Sequence, residues 1–142
     1  MLEREAAVRF CHTVSDADLA AIEDAHLRIV ERARQGPVDE ALLTDAQTVD
    51  WGLHDLMIDA LGNTLVSETY RVNSLRVRLI RLERAMLSDD ALLPAMEEHL
   101  WFIAALKRRD AQAVAARLTH HVESAHRRVL GLPRPPLPQD TP

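Results

Sequence analysis

The sequence predicts an all-α fold, an antiparallel bundle of about six helices, and three observations predict it. Alanine, leucine, glutamate and arginine dominate while β-branched clusters are scarce. Apolar residues recur at three- and four-residue spacing, and capping residues and glycines cut that pattern into helix-length pieces, with prolines falling between them. The 142 residues, 47% hydrophobic with only four glycines, are enough for the core of one ordinary domain.

The first helix covers about residues 2–13. Ser15 and Asp18 form a capping box that opens the second, with Leu19, Ile22, Ala25 or His26, Ile29 and Val30 as its apolar stripe, and Gly36-Pro37 ends it. The third runs over about 38–61 through Leu42, Ala46, Val49, Leu53, Met57 and Leu61, and stops at Gly62-Asn63, residues that tolerate a left-handed backbone. A fourth, about 65–85, carries Val66, Tyr70, Leu75, Leu79 and Leu82 beside a ladder of arginines. Ser88-Asp89-Asp90 can cap the fifth, whose stripe is Leu93, Met96, Leu100, Ile103 and Leu106. Asp110 caps the last, in which Ala113 or Val114, Leu118, His121, Val122, Ala125 and Val129 lead to Gly131. Short connections should make consecutive helices neighbours. The domain therefore spans 1–131, and the proline-rich stretch 132–142 is expected to be irregular or disordered.

Composition narrows the function. The formal charge is −5 and basic residues are interspersed with acidic ones, so no Lys/Arg stripe offers a nucleic-acid face. A single cysteine, Cys11, cannot close an internal disulfide, which fits a reducing compartment; beside Phe10 it reads as a small buried hydrophobe. Early charges at Glu3, Arg4, Glu5 and Arg9 break any signal-like apolar run, and no stretch has membrane-spanning length. The expected location is cytoplasmic, with no membrane partner.

The residues that carry chemistry are a carboxylate and histidines. Asp50 and His54 stand four apart on the third helix, so both can reach one ion, although the same spacing also suits a simple surface hydrogen bond. His99 borders the stripe of the fifth helix. On the last helix His121 follows Leu118 by three and precedes Ala125 by four, whereas His120 is turned about 100° away, so His121 is the better ligand. Imidazole and carboxylate donors suit Zn, Ni, Fe, Co or Mn better than Cu(I). His12, His26 and His126 lack such a constellation and read as surface or boundary residues, and Glu98 is expected to point away from His99. Among the arginines of the fourth helix, a solvated, ion-paired face is the default; Arg78 and Arg81, three apart and interleaved with leucines, are the pair that could turn inward to grip a carboxylate.

These motifs resemble a known family. The run from Asp50 through Leu53-His54 to Ala60-Leu61-Gly62-Asn63 is similar to the Asp-x-x-Phe-His…Ala-x-Gly-Asn signature of the FCD domain, the C-terminal effector-binding domain of FadR-type regulators in the GntR family. Glu98-His99, followed by Ile103 and Asp110-Ala111, resembles that family's next segment, and His121, eleven residues after Asp110, its final ligand position. The likeness extends over about residues 2–128. It implies a bundle enclosing a central ligand cavity, a divalent metal, Zn or Ni first, held by Asp50, His54, His99 and His121, and a small organic or sugar acid as effector in a homodimer. It also implies DNA binding only through a winged-helix domain that has no counterpart in these residues. Leu53 departs from the family's phenylalanine, and the first helix looks shortened at its start. Two other functions compete: a metal-dependent hydrolase or isomerase using the same residues, and a metal-free dimerisation bundle. Catalysis would need a tuned acid or base beside the metal, and the sequence offers none convincingly.

Overall fold

The computed structural model describes residues 2–82 and 89–136, with the backbone alone described over 77–82 and at Asp89. Six α-helices order the described residues: α1 (Leu2–Thr13), α2 (Asp16–Gln35), α3 (Glu40–Asp59), α4 (Thr64–Leu82), α5 (Asp89–Lys107) and α6 (Ala111–Val129).

Local chemistry sets their ends. The Ser15 hydroxyl accepts from Asp18 N at 3.0 Å, the Asp39 carboxylate from Leu42 N at 2.8 Å and the Asp110 carboxylate from Ala113 N at 3.0 Å, each satisfying an amide the helix itself leaves open. Gly62, at φ 69°, turns the chain out of α3, and Asn63 Oδ1 accepts from Val66 N at 3.3 Å to start α4. Between α5 and α6 the left-handed residue is Arg109, at φ 56°, not a glycine. Its guanidinium ties that turn to the start of the chain, donating to Cys11 O at 2.9 Å and to Asp16 at 2.6 Å. One proline departs from the expected pattern: Pro94 lies inside α5, in its second turn, where the backbone bond it removes is close to the exposed helix start.

Consecutive helices are not always neighbours. α1 packs on α6 and α3 because Ala6, Ala7, Phe10 and Cys11 are its buried residues, and α2 packs on α5 and α3. α5 and α6 lie together, clasped by Arg117, which donates to Trp101 O and lies 4.5 Å over the Trp101 ring. The apolar core falls into two clusters. One gathers Phe10, Leu19, Leu53, Met57, Ile58, Phe102, Ile103, Leu106 and Leu118; the other gathers Ile29, Val30, Leu42, Ala46, Leu92 and Met96. Burial of such side chains contributes roughly 1.5–3 kcal/mol each.

α4 is the outlying helix. It packs on α3, with Val66 and Tyr70 partly buried, but Leu75, an expected core residue, is 56% exposed, as are Leu65 at 72% and Val72 at 53%. No helix among the described residues is long and apolar enough to cross a membrane.

Candidate metal centre

Between the two apolar clusters lies a polar layer. On α2 His26 stands between Leu19 and Ile29; on α3 Asp50 and His54 stand between Ala46 and Met57; on α5 Glu98 and His99 stand between Met96 and Phe102. α6 adds His121, α1 adds Glu3 and α4 adds Tyr70, so each of the six helices supplies at least one side chain to this layer.

Asp50, His54, His99 and His121 are brought together there, one potential ligand atom from each lying within 4.8 Å of the other three. His99 and His121 are buried, and His54 and Asp50 partly so. His99 Nε2 is 3.1 Å from His121 Nε2 and 3.2 Å from Asp50 Oδ1. Ring centroids of His54 stand 5.4 Å from those of both His99 and His121.

The hydrogen bonds around the cluster orient the rings. His121 Nδ1 donates to Glu98 Oε2 at 3.0 Å, and His54 Nδ1 to Glu3 Oε1 at 3.1 Å, a carboxylate that also accepts from Tyr70 at 2.6 Å. His99 Nδ1 lies 3.0 Å from His26 Nε2, and His26 Nδ1 lies 2.7 Å from the Ile22 carbonyl. A carbonyl only accepts, so His26 carries its proton on Nδ1 and accepts through Nε2 from His99. In all three rings the proton therefore sits on Nδ1, engaged outward, and the lone pair on Nε2 is left for the cluster.

Burial favours the neutral ring at His99 and His26, whereas at His54 the neighbouring carboxylates favour the charged form, whose Nε2 proton a metal would displace. Burial, with the neighbouring His121 and His54, pushes His99 well below the usual imidazole range, and burial likewise lowers His26. For His54 burial also disfavours the charged form, yet the Glu3 bond and the nearby Asp50 outweigh it and raise the imidazole. Burial works to raise Glu3, but its bonds to His54 and Tyr70 bring it down to about 2. Glu98, opposed by burial in the same way, is lowered by His121 and Arg134. Two lone pairs facing each other at 3.1 Å need something positive between them, and two nitrogens at metal-bond length of about 2.1 Å from one ion stand about that far apart. The donor set fits a divalent ion of the harder and borderline first-row type.

The residue pattern of the FCD domain matches residues 1–124, seven-eighths of the chain. The chain belongs to the FCD family. No curated protein and no solved structure matches it. FCD domains are the effector-binding and dimerisation modules of GntR-type regulators and are not catalytic, which disposes of the hydrolase or isomerase reading. Of the anticipated arginines, Arg78 and Arg81, the backbone alone is described, on α4.

Two expectations are corrected. His26 is no boundary residue; it is 1% exposed and bonded to His99. Glu98 does not point away from the site: at 0% exposure it holds His121, because a helix places i and i+1 about 100° apart and His121 approaches from α6 into that gap. The stripe that offered His26 as an alternative to Ala25 carried the first signal; the second was available only in the Glu98-His99 motif. A groove of about 570 Å³ between α1, α2 and α3, lined mainly by apolar side chains including Phe10, Ile22, Leu53 and Leu56, reaches this layer at His26.

Proposed function

We propose that this FCD domain senses a small organic or sugar acid through a divalent metal, Zn or Ni before Fe, Co or Mn, bound by Asp50, His54, His99 and His121. The observation that carries the reading is that three imidazoles already have Nδ1 engaged by outer acceptors while an Nε2 pair and a carboxylate oxygen converge. Four protein donors leave room in a five- or six-coordinate shell for a carboxylate effector. Arginines of α4, Arg78 and Arg81, hold the far end of the acid in this proposal. Exposed Leu65, Val72 and Leu75 support a homodimer paired along α4, since isologous pairing would cover them.

Elemental analysis of the purified chain, followed by a thermal-shift screen of small carboxylates with and without the metal, tests the proposal. One equivalent of metal and acid-induced shifts that vanish after chelation are expected. Acid-induced shifts that persist in metal-free protein would overturn the metal-dependent part. Unchanged metal content in His99→Ala would overturn the ligand assignment.

A further inference from the structure

Glu98 is a wholly buried carboxylate, and one of its positive partners, Arg134, comes from beyond the six helices. Taking such a group out of water requires positive or donating neighbours. One oxygen, Oε2, faces His121 Nδ1; the other, Oε1, lies 2.8 Å from Arg134 Nε, while Arg128 Nη1 approaches Oε2 at 3.9 Å. Arg134 follows α6 and stands past residue 124, where the match to the family ends. Three local features bring it back onto the bundle. Gly131 adopts φ 68°, Leu132 N donates to Arg127 O at 2.9 Å, and Arg127 Nε donates to Pro133 O at 2.7 Å. The stretch expected from its prolines to be irregular is non-helical over 132–136, yet pinned by these bonds.

We infer that residues 131–134 form a strap and that Arg134 is a positioning residue of the metal centre. By holding Oε1 it keeps Oε2 turned to His121 Nδ1, which keeps the His121 Nε2 lone pair on the cluster. This rests on the metal reading and extends it to a part of the chain that the family match does not include. A histidine's outer partner is worth about 10–100-fold in metal affinity, and Arg134 acts one step further out.

The test uses the full chain and Zn²⁺ alone, titrated in competition with a chromophoric chelator. Arg134→Ala should bind zinc about tenfold more weakly, at the lower end of that range. Arg134→Lys should recover most of the loss, and in a Glu98→Gln background Arg134→Ala should add little, because the charged group it positions is gone. Equal zinc affinity in Arg134→Ala and the unaltered chain would overturn the strap, as would an undiminished loss in the Glu98→Gln background. Failure of the unaltered chain to bind zinc would instead overturn the metal reading. The strap is then decided by imidazole ¹⁵N shifts of the metal-free chain: a pure Nδ1–H tautomer at His121 that becomes mixed in Arg134→Ala supports it, and identical spectra overturn it.

Discussion

His99 Nε2 and His121 Nε2 face each other across 3.1 Å inside the bundle, each with its other ring nitrogen already bonded elsewhere. Without a cation between them this contact opposes two lone pairs in a low-dielectric interior, so the metal-free chain should be the less stable form. Chelation should lower the melting temperature, and restoring metal at about 100 times its Kd should return about 2.7 kcal/mol. Asp50→Asn keeps the side-chain volume but removes the only carboxylate among the four, so it should weaken metal binding at least tenfold with little change in helicity. Calorimetry and circular dichroism of the two proteins check this; equal metal affinity would remove Asp50 from the ligand set.

His26 should matter as much as a ligand although it touches no ion. Its Nε2 accepts the His99 Nδ1 proton, and its own Nδ1 is bonded to Ile22 O, so the protonation of both rings is fixed by one carbonyl. His26→Ala is expected to cost about 10–100-fold in metal affinity. His26→Gln, whose amide oxygen can accept the same proton, should lose less. Equal losses in the two variants would mean that His26 serves only to fill space.

Much of this was legible in the sequence, and the reasons are physical. Helix ends were readable where a short polar side chain meets an amide three residues on, as at Ser15 and Asp110. Helix phase separated His121, buried in the cluster, from His120, which turns toward Trp101. Phase describes one helix against an average interior, however, and cannot say which polar groups on different helices will meet. Glu98 and His26 were misplaced for that reason: each meets a partner from another helix, His121 and His99 respectively. Leu75 failed in the opposite direction, since an apolar periodicity reports that a face wants cover without saying whether the same chain supplies it.

The exposed face of α4 gives a prediction of its own. Leu65 and Val72 are seven residues apart, as are Glu68 and Leu75, so they share one side of the helix. If two copies pair there, as proposed, Leu75→Glu introduces two desolvated like charges at the contact and should shift the dimer to monomer. Its exposure in one copy means the fold itself should lose less than about 0.5 kcal/mol. Sedimentation velocity at matched concentrations checks the assembly, and urea unfolding the fold. An unchanged oligomeric state would move the interface elsewhere.

The metal-free chain should be most stable near pH 6.5. His54 is raised above that ordinary imidazole value in the folded chain, so its contribution is present below pH 6.5 and is lost as the pH rises through the raised value. His26 and His99 are lowered, so they contribute above pH 6.5 and their contribution is lost as the pH falls below it. Above pH 6.5 the folded chain therefore holds the extra proton and stability falls on the alkaline side; below it the unfolded chain takes up more protons, and stability falls on the acid side. Two groups oppose one, so the acid limb should be steeper, each group contributing at most about 1.4 kcal/mol per pH unit. Glu3, lowered from 4.5 to about 2, adds a further loss as the pH falls through that interval. Urea unfolding with chelator present, from about pH 4 to about pH 8, should trace this asymmetric dome. In Glu3→Gln the partner that raises His54 is gone, so the alkaline limb should flatten while the acid limb from His26 and His99 remains. A stability that climbs steadily through pH 8 in the unaltered chain would show that the His54–Glu3 pair does not hold its proton.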